Sequence, residues 1–128
     1  MILSHIPERT TNPRDTGLTM MMDKGLSTRQ MEDFLSTSAS YTDIIKFGFG
    51  TSIVSNNIQE KISLMNQVGV KPYFGGTMFE LYYARNQEED YFKIVDNFGI
   101  ETIEISDGSI ILEHEEKCEL IYKYSKNY

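Results

Sequence analysis

The sequence has little of what would place a protein outside the cytoplasm. Cys118 is its one cysteine, so no disulfide can form within the chain and a reducing compartment is the default. No apolar stretch is long enough for a membrane-spanning helix, and residues 1–15 lack the apolar centre of a signal peptide. We therefore expect a cytoplasmic protein that does not contact the membrane.

Positive charge is also scarce. The 12 lysines and arginines are outnumbered by 19 aspartates and glutamates, which gives a net charge of −7. Nucleic acids and anionic membranes repel a chain of this sign, so we expect neither as a partner, although a small basic pocket remains compatible with it. With 128 residues, of which 40% are hydrophobic, the chain can form one compact domain with a core.

From residue 17 onward, short apolar runs alternate with amphipathic stretches of helical spacing. Ser27 and Gln30 have the spacing of a capping box, and Gly69 and Gly99 are placed to end helices. This alternation is typical of βαβ units and predicts a parallel sheet. The predicted strands lie in residues 17–25, 43–52, 71–77 and 101–108, and the predicted helices in residues 27–40, 57–69, 77–86, 87–99 and 114–127.

Each predicted strand ends in glycine or polar residues, and parallel α/β folds build their binding sites at this end of the strands. A complete (β/α)₈ barrel takes about 250 residues, or about 31 for each βα unit. At that length, residues 17–128 hold about four units. We therefore predict an α/β protein with half of a (β/α)₈ TIM barrel in residues 17–128, preceded by an irregular segment in residues 1–16.

Lys46 is the unusual residue of the second run, DIIKFGFGTS. Side chains alternate along a strand, so Lys46 shares a face with Gly48 and Gly50. The opposite face carries the bulky side chains that suit the layer between sheet and helices: Ile45, Phe47 and Phe49. We therefore expect Lys46 to point into the barrel, with the two glycines leaving room for a ligand beside it.

The same alternation turns Asp23 inward from the first run, and Glu104 and Ser106 inward from the fourth. A lysine between carboxylates has two interpretations. The pair Asp23–Lys46 can be a buried ion pair that only stabilises the sheet. Alternatively, the carboxylates hold a divalent cation while the lysine handles protons or an anion. The glycines favour the second interpretation, because a structural ion pair needs no free space.

Four segments, PRDTGLTMMMDKG, IIKFGFGTS, YFGGTMFE and IEISDGSI, resemble the phosphosulfolactate synthase family in order and spacing. The resemblance runs from about Ile6 to the C-terminus. It implies a Mg²⁺-dependent (β/α)₈ barrel that adds sulfite to phosphoenolpyruvate, as in coenzyme M biosynthesis. Family chains are roughly twice as long, so the resemblance implies an N-terminal half. Plant heat-stress-associated proteins share the motifs without an established synthase role.

The resemblance also implies roles for individual residues. Lys46 would deliver a proton to the substrate, with Asp23 as a second catalytic residue. Mg²⁺ takes hard oxygen ligands, and candidates are Glu104, Asp107 and Glu80. Phosphoenolpyruvate and sulfite are small anions, and the candidates to bind them are Arg14, Lys24, Gly48, Gly50, Gly75, Gly76, Thr77 and Ser106, of which residues 75–77 open a helix.

Simpler interpretations stand beside several of these roles. Glu80 follows Thr77 by three residues, which is the spacing of a capping box. Asp107 precedes Gly108 and can belong to a turn, and Arg14 can pair with a carboxylate on the surface.

Two other functions also stay open. One is an aldolase that uses Lys46 for a Schiff base, and the other is a non-catalytic protein like the plant relatives. Half a barrel leaves strand edges open, so we expect the chain by itself to have little synthase activity and to self-associate.

Overall fold

The computed structural model describes residues 4–128, so Met1, Ile2 and Leu3 lie outside the account that follows. Residues 4–19 contain no helix or strand. Three strands and five α-helices follow in chain order: β1 (Met20–Asp23), α1 (Thr28–Ser38), β2 (Ile44–Phe47), α2 (Ile58–Gln67), β3 (Lys71–Phe74), α3 (Gly76–Tyr83), α4 (Glu88–Asn97) and α5 (His114–Tyr124). Short 3₁₀ turns cover Ala39–Tyr41 and Gly48–Val54.

The three strands form a parallel sheet in the order β1-β2-β3. Directly paired residues of neighbouring parallel strands point to the same face. Met22, Lys46 and Tyr73 are paired in this way and define one face, which we call the inner face. The α/β class and the parallel sheet that the sequence predicts are therefore confirmed.

The helices begin and end where local sequence signals place them. Ser27 Oγ accepts a hydrogen bond from Gln30 N at 3.2 Å, and Ser27 N donates to Gln30 Oε1 at 2.9 Å, so the predicted capping box forms. Gly69 and Gly99 follow α2 and α4 with φ of +74° and +64°. These left-handed conformations are ones that glycine adopts without steric cost.

The core lies between the outer face of the sheet and the helices. Ile45, Phe47 and Phe74 point to this side and are almost completely buried, and the rings of Phe47 and Phe74 are 5.8 Å apart. Burial of each such side chain contributes about 1.5–3 kcal/mol. Their packing partners on the helices are also buried: Met31, Leu35, Ile62, Met65, Phe79 and Tyr91.

The prediction of a fourth strand in residues 101–108 is wrong in extent, because one parallel bridge, Phe74 to Ile103, is all that forms. Pro72 supplies a physical reason. Lys71 N donates to Asp43 O, and Gly75 N donates to Phe47 O, so the odd-numbered amides of β3 face β2. The N–H of residue 72 would face the fourth segment, and proline has none.

Among residues 4–128, no helix combines the length and the apolar character needed to cross a bilayer.

Candidate active site

An ion pair between Lys46 and Glu104 lies on the inner face of the sheet. Lys46 Nζ donates a hydrogen bond to Glu104 Oε1 at 2.9 Å and lies 2.6 Å from Oε2, which has no hydrogen-bond partner within residues 4–128. The side chains are 18% and 35% exposed, which leaves the pair accessible to a small ligand. Glu104 follows the bridge residue Ile103, and this places its side chain on the same face as Lys46.

Two glycines at the start of α3 make room for this pair. A Cβ on Gly75 would lie 2.6 Å from Lys46 Cε and 2.9 Å from the carbonyl oxygen of Phe47. A Cβ on Gly76 would lie 2.2 Å from Ser106 Cβ and 3.1 Å from Glu104 Oε1. The start of α3 therefore packs directly against the side chains of both partners.

The expectation that Gly48 and Gly50 leave space for a ligand is wrong. A Cβ on Gly48 would meet Met22 Cγ and Sδ at 2.8 Å. Gly50 has φ of +66°, and a Cβ there would lie 3.1 Å from Leu81 Cδ1. Side chains of the protein itself occupy the space beside both glycines.

The expected inward direction of Asp23 is also wrong. Asp23 is paired in register with Phe47, whose side chain faces the helices, whereas Met22 is paired with Lys46. Asp23 is 0% exposed, and its Oδ2 lies 2.6 Å from Lys61 Nζ on α2. Asp23 therefore contacts neither Lys46 nor the inner face, and the alternative of an Asp23–Lys46 ion pair is excluded as well.

Glu80 holds residues 106–108, at the end of the predicted fourth strand. Its Oε1 accepts hydrogen bonds from Ser106 Oγ and from Gly108 N, the latter at 2.7 Å. The capping-box interpretation is wrong, because α3 begins after Gly75 without a side-chain cap. Asp107 binds Lys117 of α5 at 2.7 Å, so the loop from Ser106 to Gly108 is fixed from both sides.

The arrangement of carboxylates limits what metal site is possible. Residues 4–128 contain no cluster of three or more His, Cys, Asp or Glu side chains able to hold an ion. Glu80 Oε2 is buried and has no hydrogen-bond partner in this part of the chain. Mg²⁺ often takes only one or two protein carboxylates and completes its shell with substrate and water. Glu80 fits this arrangement through Oε2. Glu104 Oε2 also accepts no hydrogen bond within residues 4–128, but it lies 2.6 Å from Lys46 Nζ, so Glu104 would bind an ion while paired with Lys46. Asp107 is paired with Lys117, and its side chain is more exposed, at 45%.

Arg14 lies at the opposite end of the sheet from Gly75 and Gly76. Its Nε donates to Asp43 Oδ1 at 2.8 Å, and Thr19 N donates to Asp43 Oδ2 at 2.6 Å. Asp43 immediately precedes β2, so this cluster lies where the strands begin. Arg14 is therefore engaged by Asp43 and does not lie beside Lys46. The alternative of a carboxylate partner is confirmed, but the pair is almost completely buried instead of lying on the surface.

The hydrogen bonds to Asp43 also shift its titration. The amide of Thr19 lowers the pKa of Asp43, burial opposes this effect, and the guanidinium of Arg14 lowers the pKa further.

Lys24, another candidate for binding the substrate anions, lies at the C-terminal end of the strands. It follows β1 directly, and its Nζ lies 5.5 Å from the ring centroid of Phe49. Phe49 does not continue β2 toward the helices as expected. It has φ of 55° and is 63% exposed, because the chain turns after Phe47.

Sequence reasoning missed Tyr73 and Lys61. Tyr73 is the register partner of Lys46, and the alternation of KPYF about the buried Phe74 could have placed it on the inner face. Lys61 is 1% exposed, and it lies one turn from both Ile58 and Met65 on the buried side of α2. Its position on the apolar face was the signal that this lysine needs a buried partner.

These features define the class of the protein: an α/β chain of parallel βα units with a polar site beside the ends of its strands. The family model described as (2R)-phospho-3-sulfolactate synthase (ComA) matches residues 7–128, and the chain belongs to this family.

Three phosphosulfolactate synthases are similar to the chain. The protein of Methanothermobacter thermautotrophicus is 40% identical over 117 residues, which are 90% of this chain and 45% of the relative. The Bacillus subtilis protein is 33% identical over 96% of this chain and 49% of its own length. The Methanocaldococcus jannaschii protein is 38% identical over 87% of this chain and 45% of its own length. The chain thus spans about half the length of the relatives that it matches.

Proposed function

We propose that this chain forms the N-terminal half of a (β/α)₈ barrel enzyme that adds sulfite to phosphoenolpyruvate and produces phosphosulfolactate. Family membership and the length of the relatives support the proposal, because the chain covers 45–49% of each of them. The observation that carries it is the Lys46–Glu104 ion pair, which stands partly exposed beside the glycine-rich start of α3. Barrel enzymes place their reacting groups at this end of the strands.

The reaction explains why a cation is needed there. Sulfite attacks C3 of phosphoenolpyruvate, the electron pair of the double bond moves toward the carboxylate, and C2 then takes a proton. An ammonium beside the substrate carboxylate stabilises the negative charge that develops on its oxygens. Lys46 Nζ is the group that we assign to this contact and to proton delivery at C2. Glu104 orients Lys46 through two contacts of 2.6 and 2.9 Å.

Further binding groups come from the same region. The amides that open α3 at Gly76 and Thr77, together with Lys24 after β1, would bind the phosphate or sulfite anion. Glu80 and Glu104 would hold Mg²⁺, which supplies Lewis-acid stabilisation of the substrate carboxylate when it is bound. Ser106 would line the pocket while its hydroxyl binds Glu80.

The experiment is a chimera in which this chain is continued by the remaining part of the M. thermautotrophicus relative. We expect the chimera to convert sulfite and phosphoenolpyruvate to phosphosulfolactate in the presence of Mg²⁺, measured by ³¹P NMR, and to lose activity with EDTA. Turnover that is indifferent to EDTA would remove Mg²⁺ from the proposal. A folded chimera without turnover would contradict the proposed reaction.

The chain alone is the matched control. We expect it to show little or no turnover, and to self-associate through sheet edges where Leu18 and Met20 are 53% and 46% exposed. Activity comparable to that of the chimera would contradict the half-barrel proposal.

Treatment of the chain with borohydride in the presence of pyruvate tests the alternative aldolase function, because borohydride traps a Schiff base as a stable adduct. Schiff-base formation requires the amine of Lys46 to leave Glu104, so we expect no trapped adduct. A covalent adduct on Lys46 would replace the synthase proposal with a Schiff-base mechanism.

A further inference from the structure

The side chain of Tyr73 on β3 lies beside that of Lys46 on the inner face of the sheet. The two residues are directly paired across parallel strands, and Lys46 Nζ lies 6.0 Å from the centroid of the Tyr73 ring. The neighbouring β3 residues, Pro72 and Phe74, are buried on the opposite face. The Tyr73 side chain is half-buried, so it lines the inner face beside the ion pair instead of packing in the core.

We propose that Tyr73 is a substrate-contacting residue, whose hydroxyl donates a hydrogen bond to the carboxylate of the small anion that Lys46 binds. The proposal rests on the proposed function, because it takes the surface beside the Lys46–Glu104 pair as the substrate site. It adds a second hydrogen-bond donor to that site, and this donor is neutral.

The residue type supports a role for the hydroxyl. On the outer face at the same level of the sheet, the aromatic residues are Phe47 and Phe74, which pack as plain hydrocarbon rings. Packing alone would be satisfied by phenylalanine at position 73 as well. A tyrosine adds one hydroxyl, and hydroxyl groups in partly dry surroundings need a hydrogen-bond partner.

The hydroxyl of Tyr73 is suited to donate a hydrogen bond, because a phenol ordinarily keeps its proton up to about pH 10. A neutral donor is useful here because Glu104 already offsets the charge of Lys46 and repels an incoming carboxylate.

Phosphoenolpyruvate and pyruvate are suitable probes, because both carry a carboxylate beside a planar carbon and only one carries phosphate. Their binding to the purified chain is measured by calorimetry, with Tyr73→Phe as the test variant. Tyr122→Phe is the matched control. It removes the same hydroxyl group from a tyrosine of α5 that is 70% exposed. Circular dichroism confirms that each variant is folded.

We expect Tyr73→Phe to weaken the binding of both anions about tenfold, which is the loss of one hydrogen bond to a charged group. Tyr122→Phe should bind them as the unchanged chain does. Equal affinities of the unchanged chain and Tyr73→Phe would overturn the inference, and so would the absence of any binding at millimolar concentration. Binding that depends on Tyr73, together with an inactive chimera, would keep the inference and reject the synthase reaction.

Discussion

Asp23 and Lys61 form an ion pair that is closed off from water, with 2.6 Å between Oδ2 and Nζ and exposed side-chain fractions of 0% and 1%. Asp23 Oδ1 also accepts hydrogen bonds from the amides of Gly25 and Leu26 at 2.7 and 2.6 Å. Lys61 donates to the carbonyl oxygen of Leu26 at 3.0 Å. The pair thus joins the turn after β1 to α2, and its role is to hold two βα units together.

Removal of one partner should therefore be costly to the fold. We expect Lys61→Met to lower the free energy of unfolding by about 3–5 kcal/mol, because it leaves the Asp23 carboxylate buried without a counter-charge. Urea unfolding measures this change. Replacement of both partners, Asp23→Leu with Lys61→Met, should cost less than the sum of the single changes.

Lys93→Met provides the comparison, because Lys93 is 66% exposed and pairs with Asp90 on the surface. We expect only a small change in stability there. If Lys61→Met and Lys93→Met were equally stable, the Asp23–Lys61 pair would not carry the structural role given to it.

The Lys46–Glu104 pair should instead affect turnover. In the chimera, we expect Lys46→Met and Glu104→Gln each to lower kcat about 100-fold or more, the usual effect of losing a group that moves a proton. Steady-state assays with phosphoenolpyruvate and sulfite measure it. The control is Lys93→Met, which removes an exposed ion pair with Asp90 on α4 and should leave kcat unchanged. Wild-type turnover in Lys46→Met would exclude Lys46 from the chemistry.

Gly76 should tolerate no side chain while Ser106 is present. A Cβ at residue 76 would lie 2.2 Å from Ser106 Cβ, so the loop or α3 must shift. We expect Gly76→Ala to lower the free energy of unfolding by about 1–3 kcal/mol, as overpacking does. In the Ser106→Gly background the same substitution should cost less, and thermal unfolding of the four proteins tests this. An equal cost in both backgrounds would show that the clash lies elsewhere.

The lowered pKa of Asp43 predicts a contribution to acid stability. A carboxylate with a lowered pKa in the folded protein stabilises it above the ordinary pKa of 3.8. This contribution disappears as the pH falls through the lowered value. Urea midpoints from about pH 6 to about pH 3 should show Asp43→Asn less stable at the upper end and converging with the unchanged chain at the lower end.

Asp33→Asn on α1 is the control for this titration, because the exposed Asp33 side chain is not part of the Arg14 cluster. A constant stability difference between Asp43→Asn and the unchanged chain across this range would contradict the linkage.

The sequence predicted that Lys46 and Glu104 share the inner face, because the alternation of side chains along each run turns them away from their bulky neighbours. It did not predict the ion pair between them, because the pair that it offered for Lys46 was with Asp23. It did not predict the direction of Asp23, because the run MMMD contains three equal side chains and no alternation to count. Register with β2 decides which face those residues take, and register is a tertiary property.

The local sequence pattern could not predict how much of residues 101–108 pairs as a strand. Their alternation resembles that of a strand, yet pairing requires donors from β3, and Pro72 withholds one. The helices were predicted more accurately because capping and glycine stops act within a few residues. The roles of the site residues in a reaction stay predictions, since the fold fixes where they lie and not what they bind.

Met22 gives the inner face one further property. Its Cγ and Sδ lie against Gly48, on the face of the sheet that also carries Lys46. Methionine has three rotatable bonds and adapts its shape at small energetic cost. The space beside Gly48 is therefore filled by a side chain that can change its rotamer, so this part of the inner face can be reshaped while the strands stay fixed.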